Sequence, residues 1–193
     1  MKRICVFCGS SLGNRKEYAD AARRFGQVMV QMAVDLVYGG GSIGLMGVLA
    51  DAILSEGGQV FGVIPERLAT KELAHTGLTR LYVVTSMHER KAVMAELAHG
   101  FAALPGGLGT FEELFEVVTW AQLGIHRKPI GLLNTAGYFD PLIAMIEAAI
   151  DEGFIQAEHR ELLVVEEDSE ALLGRLLRHR PPAVPKIIGS AEA

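Results

Sequence analysis

The residues Pro105-Gly106-Gly107-Leu108-Gly109-Thr110-Phe111-Glu112-Glu113 combine two chemistries in one short stretch. The glycines let backbone N–H groups close on a ligand. The helix that follows adds partial positive charge at its start, which suits a phosphate. Gly107, Gly109 and Thr110 are the phosphate-holding candidates. Glu112 and Glu113 then add carboxylates beside the anion pocket, so the stretch predicts a reaction as well as binding. The two lie ~100° apart on a helix and cannot aim at one atom. Both are expected in the first turn, where a carboxylate also stabilises a helix without doing chemistry. Phe111, Leu114, Phe115 and Val118 read as the buried stripe of that helix. Thr119 falls on the side of Glu112, either lining a pocket or bonding back to its own helix.

Met87-His88-Glu89-Arg90-Lys91 is the second constellation. Counting forward from Arg90 by helical spacing reaches Val93, Met94 and Leu97, so Arg90 lies on the apolar stripe of its helix. It is then either a buried ion-pair partner, with Glu113 as a candidate acid, or a planar fork for an anionic or polar substrate. Lys91, ~100° further round, is open between solvent and the site.

Gly39-Gly40-Gly41-Ser42-Ile43-Gly44 matches G-x-G-x-x-G, with Glu66 about 20 residues further on, and so mimics a dinucleotide-binding fingerprint. It follows the second strand instead of the first, and no chain remains for a separate substrate domain. A nucleotide-type ligand held by backbone groups of Gly40 and Gly41 is the better reading. Cys5 and Cys8 have C-x-x-C spacing, but in a strand they face opposite sides ~10 Å apart, too far for a disulfide. They read as small buried hydrophobes. None of the six histidines has metal spacing to another histidine, cysteine or acid, so no metal is predicted.

These residues need a frame, and the apolar pattern supplies one. Short β-type runs at 3–8, 35–38, 59–64, 80–84, 100–104, 130–133 and 162–165 alternate with helical runs at 16–32, 45–56, 87–99, 111–123, 141–151 and 169–177. Near-continuous apolar strands in strict alternation with helices predict a single-domain, Rossmann-like α/β fold, doubly wound, with a mainly parallel sheet of about seven strands. An eight-fold barrel would need ~250 residues, and the chain has 193. Residues 1–179 are expected to form this domain and 180–193 a loosely held tail. Ligands bind such sheets beyond the carboxyl ends of the strands. There the chain delivers Gly9-Ser10-Ser11, Gly39 to Ser42, Thr85-Ser86, Pro105 to Thr110 and Asn134-Thr135, which brings Gly9 and Ser10 into the candidate site.

With 50% apolar and 21% charged residues, the composition is that of a soluble globular protein. A net charge of −5 without a Lys/Arg run disfavours nucleic acid as a partner. No run approaches ~18 apolar residues, so no membrane span is predicted. The N-terminal apolar stretch is too short for a signal peptide, and a cytoplasmic location is expected.

Together, the segments at 39–47, 87–91 and 105–113 resemble the LOG family, the cytokinin riboside 5′-monophosphate phosphoribohydrolases, many of whose bacterial members carry the label "lysine decarboxylase-like". The resemblance runs from Cys8 to about Gly153. It implies a Rossmann-like fold, usually dimeric, and hydrolysis of the N-glycosidic bond of an adenosine-type 5′-monophosphate to free base and ribose 5-phosphate, with no cofactor. It implies Arg90 and Glu113 as catalytic residues. Glu72, Lys91, Gly107, Leu108, Gly109, Thr110, Phe111, Glu112 and Thr119 match substrate-contact positions, and Met87 joins them. AMP and N6-substituted analogues share the ribose phosphate these motifs address. The alternatives are a non-catalytic nucleotide carrier or sensor of the same fold and a pyridoxal-phosphate decarboxylase. The latter needs a Schiff-base lysine and a larger site, and only Lys91 is near.

Overall fold

The computed structural model describes residues 2–69 and 74–182. The strands are β1 (Lys2–Phe7), β2 (Val34–Tyr38), β3 (Val60–Pro65), β4 (Arg80–Val84), β5 (Gly100–Ala103), β6 (Ile130–Leu133) and β7 (Leu163–Glu166). The helices are α1 (Lys16–Gln31), α2 (Gly44–Ser55), the short α3 (Glu66–Ala69), α4 (Met87–Leu97), α5 (Leu108–Gln122), α6 (Asp140–Asp151) and α7 (Ser169–Arg178). The strands form one sheet in the order β4-β3-β2-β1-β5-β6-β7. Every pairing is parallel.

Every residue of β2, β3, β5 and β6 is buried, which is why these strands read as unbroken apolar runs. Alternate residues feed two core layers. Ile4, Val6 and Leu36 pack with Phe25, Leu49 and Leu172 on one face. Cys5, Phe7 and Val37 pack with Met94, Leu114 and Phe139 on the other. Cys5 and Cys8 thus fall in different layers, and both are free and buried.

From β1 the sheet grows outward through β2 to β4, then resumes at β5 on the other side of β1. The winding direction therefore reverses between β1 and β5. At such a point the two following loops diverge and open a crevice. The Gly9 N–H donates to the Pro105 carbonyl at 3.0 Å, tying the two loops at its base.

One helix departs from expectation. α5 starts at Leu108 with Gly107 as its N-cap, about one turn before the predicted start at Phe111. Thr110 is already helical, and its side chain packs against Gly106, where a Cβ would collide with it. This sets the helix rotation. The buried stripe is Thr110, Leu114, Val117 and Ala121, whereas Phe111, Phe115 and Val118 are only partly buried. Glu112 and Glu113 consequently stand in the second turn, beyond the range in which helix-start stabilisation would account for them. Of the predicted tail, residues 183–193 lie outside the described residues.

Candidate active site

The crevice holds a cavity of about 290 Å³. Cys8, Gly9 and Ser10 reach it from the end of β1, Gly39 from β2, Ile64 and Leu68 from β3 and α3, and Met46 from α2. Met87 and Arg90 come from α4, and Gly107, Leu108, Gly109, Thr110, Glu112 and Glu113 from the start of α5. The first N–H groups of α5 have no partner within the helix and carry the positive end of its dipole. At Gly107 and Gly109 a Cβ would meet nothing within 4 Å, so the backbone lies open to an approaching anion. Leu108 stands on the rim, 87% exposed.

Ser86 caps α4 by accepting a hydrogen bond from the Glu89 N–H, which sets where the helix begins and hence where Arg90 projects. Arg90 Nη2 donates to the Gly39 carbonyl at 3.3 Å, and Nη1 contacts Met87 Sδ at 3.7 Å. Nη2 lies 4.0 Å from Glu113 Oε1, and both side chains are 12% exposed. Arg90 Nε is buried without a hydrogen-bond partner among the described residues. Burial pushes the Glu113 carboxyl up to about 7. The Arg90 guanidinium opposes that rise, and the Glu112 carboxylate adds to it. Glu113 is therefore an acid poised near neutrality, the condition under which a carboxyl moves protons efficiently. Cys8 lines the same cavity, but burial and the nearby Glu113 push its thiol well up, which leaves it a poor nucleophile.

The other predicted site residues lie elsewhere. Lys91 donates to Glu112 at 2.5 Å and to Glu116 at 2.8 Å, because Glu112 and Glu116, one turn apart on α5, face it together. Its pKa is raised: burial lowers it, but the bonds to the two carboxylates outweigh that. Phe111 turns from the cavity and stacks on Tyr138 at 6.4 Å. Gly40 and Gly41 bond instead toward the chain after α3: the Gly40 carbonyl accepts from the His75 N–H, and Gly41 bridges to Ala74. Thr119 lines a separate, mainly apolar cavity of about 230 Å³ with Phe115, Val118, Ile143 and Ile146. Glu72 lies outside the described residues. Asn134 and Thr135, expected at the ligand edge, brace the loop before α6: the Asn134 side chain accepts from the Phe139 N–H at 2.7 Å and donates to Asp140 at 2.7 Å.

Sequence reasoning missed Cys8, Met46, Ile64 and Leu68 as lining residues. The apolar ones carry no signal that separates a pocket wall from a core. Of the glycines expected at the end of the second strand, Gly39 is the one that reaches the cavity.

The parallel sheet, the crevice at its switch point and the glycine-rich helix start define a Rossmann-like α/β protein. Residues 46–176 match the family described as "Possible lysine decarboxylase". The chain is 52% identical to a probable cytokinin riboside 5′-monophosphate phosphoribohydrolase, LOGL9, of Oryza sativa subsp. japonica, over 93% of this chain and 79% of that protein. It is 48% identical to the cytokinin riboside 5′-monophosphate phosphoribohydrolase LOG2 of Arabidopsis thaliana, over 93% and 84%. The chain belongs to the LOG family. The fold is shared with the molybdenum cofactor binding protein of Rippkaea orientalis, at a TM-score of 0.69 and 17% identity over 92% of this chain and 96% of that one. It is shared also with the molybdenum cofactor carrier protein of Chlamydomonas reinhardtii, at 0.67 and 20% over 92% and 99%. At these identities the likeness is one of fold. Among the described residues no helix is long and apolar enough to cross a membrane.

Proposed function

We propose that the chain is a hydrolase of N-glycosidic bonds. Its substrates are cytokinin riboside 5′-monophosphates or AMP, and its products are the free base and ribose 5-phosphate. The observation that carries this reading is the pairing of an acid poised near neutrality, Glu113, with Arg90, beside a helix start open to a phosphate. Cleavage of the bond from sugar to base builds positive charge on the ribose ring, and an ionised Glu113 stabilises it and orients the attacking water. The water oxygen bonds to the anomeric carbon as the bond to the base breaks, and the departing base takes up a proton. Arg90, 4.0 Å from Glu113, has two roles open to it: holding Glu113 ionised and donating to the departing base. The N–H groups at Gly107 to Thr110 hold the 5′-phosphate and so fix the sugar against Glu113.

The test is release of free base from AMP, isopentenyl-AMP and adenosine. Turnover of the nucleotides with adenosine a very poor substrate supports the reading. Equal rates for AMP and adenosine would refute the phosphate anchor, and no release from any of the three would favour a carrier or sensor.

A homodimeric state and a cytoplasmic location belong to the same proposal. Met145 and Phe154 are exposed, and the apolar cavity beside Thr119 is uncovered, which supports a face that a second copy covers. In that arrangement Thr119 contacts the substrate held by the partner. Sedimentation of the wild type and of Phe154→Asp tests it, with a monomeric wild type as the refuting result.

A further inference from the structure

Behind the glycine loop lies a second cavity of about 220 Å³, bordered by Leu12, Tyr18, Pro105, Gly106, Gly107 and Tyr138. Gly107 borders this cavity and the site cavity alike. The Tyr138 hydroxyl donates to the Gly106 carbonyl. Its ring cannot swing away: Tyr18 meets it edge-on at 5.6 Å, Phe139 edge-on at 5.1 Å, and Phe111 stacks on it. The chain that delivers it is equally fixed. Ala136 and Gly137 turn in the left-handed region, Arg15 donates to the Ala136 carbonyl at 3.3 Å, and Asn134 holds the Phe139 N–H.

In a planar trans peptide the C=O and the following N–H point in opposite directions, and no cis peptide bond occurs among the described residues. A Gly106 carbonyl drawn toward Tyr138 therefore turns the Gly107 N–H away from Tyr138. That N–H has no protein acceptor among the described residues. A glycine peptide without such a hold would rotate readily, because no Cβ restricts it.

We propose that Tyr138 is a positioning residue that presents the Gly107 N–H to the phosphate of the substrate. It touches neither the substrate nor the site cavity and acts through one peptide plane. The inference rests on the phosphate-holding role given above to the glycine loop.

Tyr138→Phe removes the hydroxyl and keeps the ring contacts. Calorimetry with ribose 5-phosphate should show Kd raised about tenfold, as expected for the loss of one well-placed donor. The KM for AMP should rise similarly, with kcat within about twofold and the hydrolysis of adenosine unchanged. Unchanged Kd, or equal losses on AMP and adenosine, would overturn the proposal. A measurement on the unaltered protein keeps it testable if the variant does not fold. The Gly107 amide proton resonance should move downfield on titration with inorganic phosphate, and a stationary resonance under saturating phosphate refutes the assignment. A wild type that binds ribose 5-phosphate but hydrolyses no nucleotide would defeat the reading of function and leave the comparison of Tyr138→Phe with wild type intact.

Discussion

Arg90 occupies the space that a side chain on Gly39 would fill. A Cβ there collides with Arg90 Nη2, and the carbonyl of the same glycine accepts a hydrogen bond from that nitrogen. The first glycine of Gly39-Gly40-Gly41 is thus explained by an arginine far along the chain and not by a dinucleotide. Gly44 has a related reason: its φ is +62°, and a Cβ would strike the backbone of Ser10. The motif brings α2 against the β1 loop and leaves Arg90 its berth.

Gly39→Ala should therefore abolish catalysis through Arg90 while the sheet survives. We expect kcat to fall by ~100-fold or more, the scale of losing a preorganised charged donor. Gly107→Ala places its methyl in open space beside the helix start, so it should raise KM by ~10-fold and change kcat little. Steady-state kinetics on both variants checks the contrast, and equal effects on kcat would contradict it.

Glu113→Gln should lose hydrolysis by ~100-fold or more and yet gain stability above neutral pH. The carboxyl holds its proton up to about pH 7 when folded, against 4.5 for an ordinary glutamate. The folded state binds the extra proton between those values, so the contribution of Glu113 to stability is fully present below pH ~4.5 and is lost as pH rises through ~7. At pH 8 the buried carboxylate costs on the order of 3 kcal/mol, and the glutamine variant avoids that cost. Urea midpoints at pH 8 and pH 4.5 should show Glu113→Gln well above wild type at the first and close to it at the second. An equal difference at both would sink the assignment.

In the proposed mechanism the ionised form of Glu113 is the active one, so the rate should rise with pH through an apparent pKa near 7. The Glu112 carboxylate raises the Glu113 pKa, so Glu112→Gln should move that inflection to lower pH. A pH–rate profile that stays in place would show that another group controls it.

Lys91 joins α4 to α5 through Glu112 and Glu116. Lys91→Ala leaves those two carboxylates facing each other one helical turn apart, and should lower stability by ~1 kcal/mol, since Glu112 is more than half exposed. Adding Glu116→Gln should recover part of the loss. Thermal melts of the single and double variants decide it, with no recovery as the contrary result.

Strands at the centre of the sheet were legible because both of their faces are buried, and the order of elements followed from their alternation. The anion-suited loop and Arg90 were legible for a related reason: glycines after a strand and an arginine on an apolar stripe each break a local pattern. Contacts between distant segments were not legible. The start of α5 depends on Thr110 packing against Gly106. The partners of Lys91 lie on another helix, although Glu112 and Glu116 at i and i+4 already formed one acidic face. Which of three consecutive glycines meets the cavity depends on where β2 ends, at Tyr38, and on an arginine placed by a capping serine.

Among the described residues, none beyond Glu113 lines the site cavity. The residues around that cavity come from the first part of the chain, while β6, α6, β7 and α7 supply an edge of the sheet and its cover. Substitution in β6 and α7 is limited by packing, whereas Tyr138 acts on the glycine loop through its hold on Gly106. In a saturation mutagenesis scored for both folding and turnover, the two scores should track each other across β6 and α7 and separate among the residues that line the site cavity. Tyr138 should stand out among the later residues as a position where folding persists and substrate capture weakens.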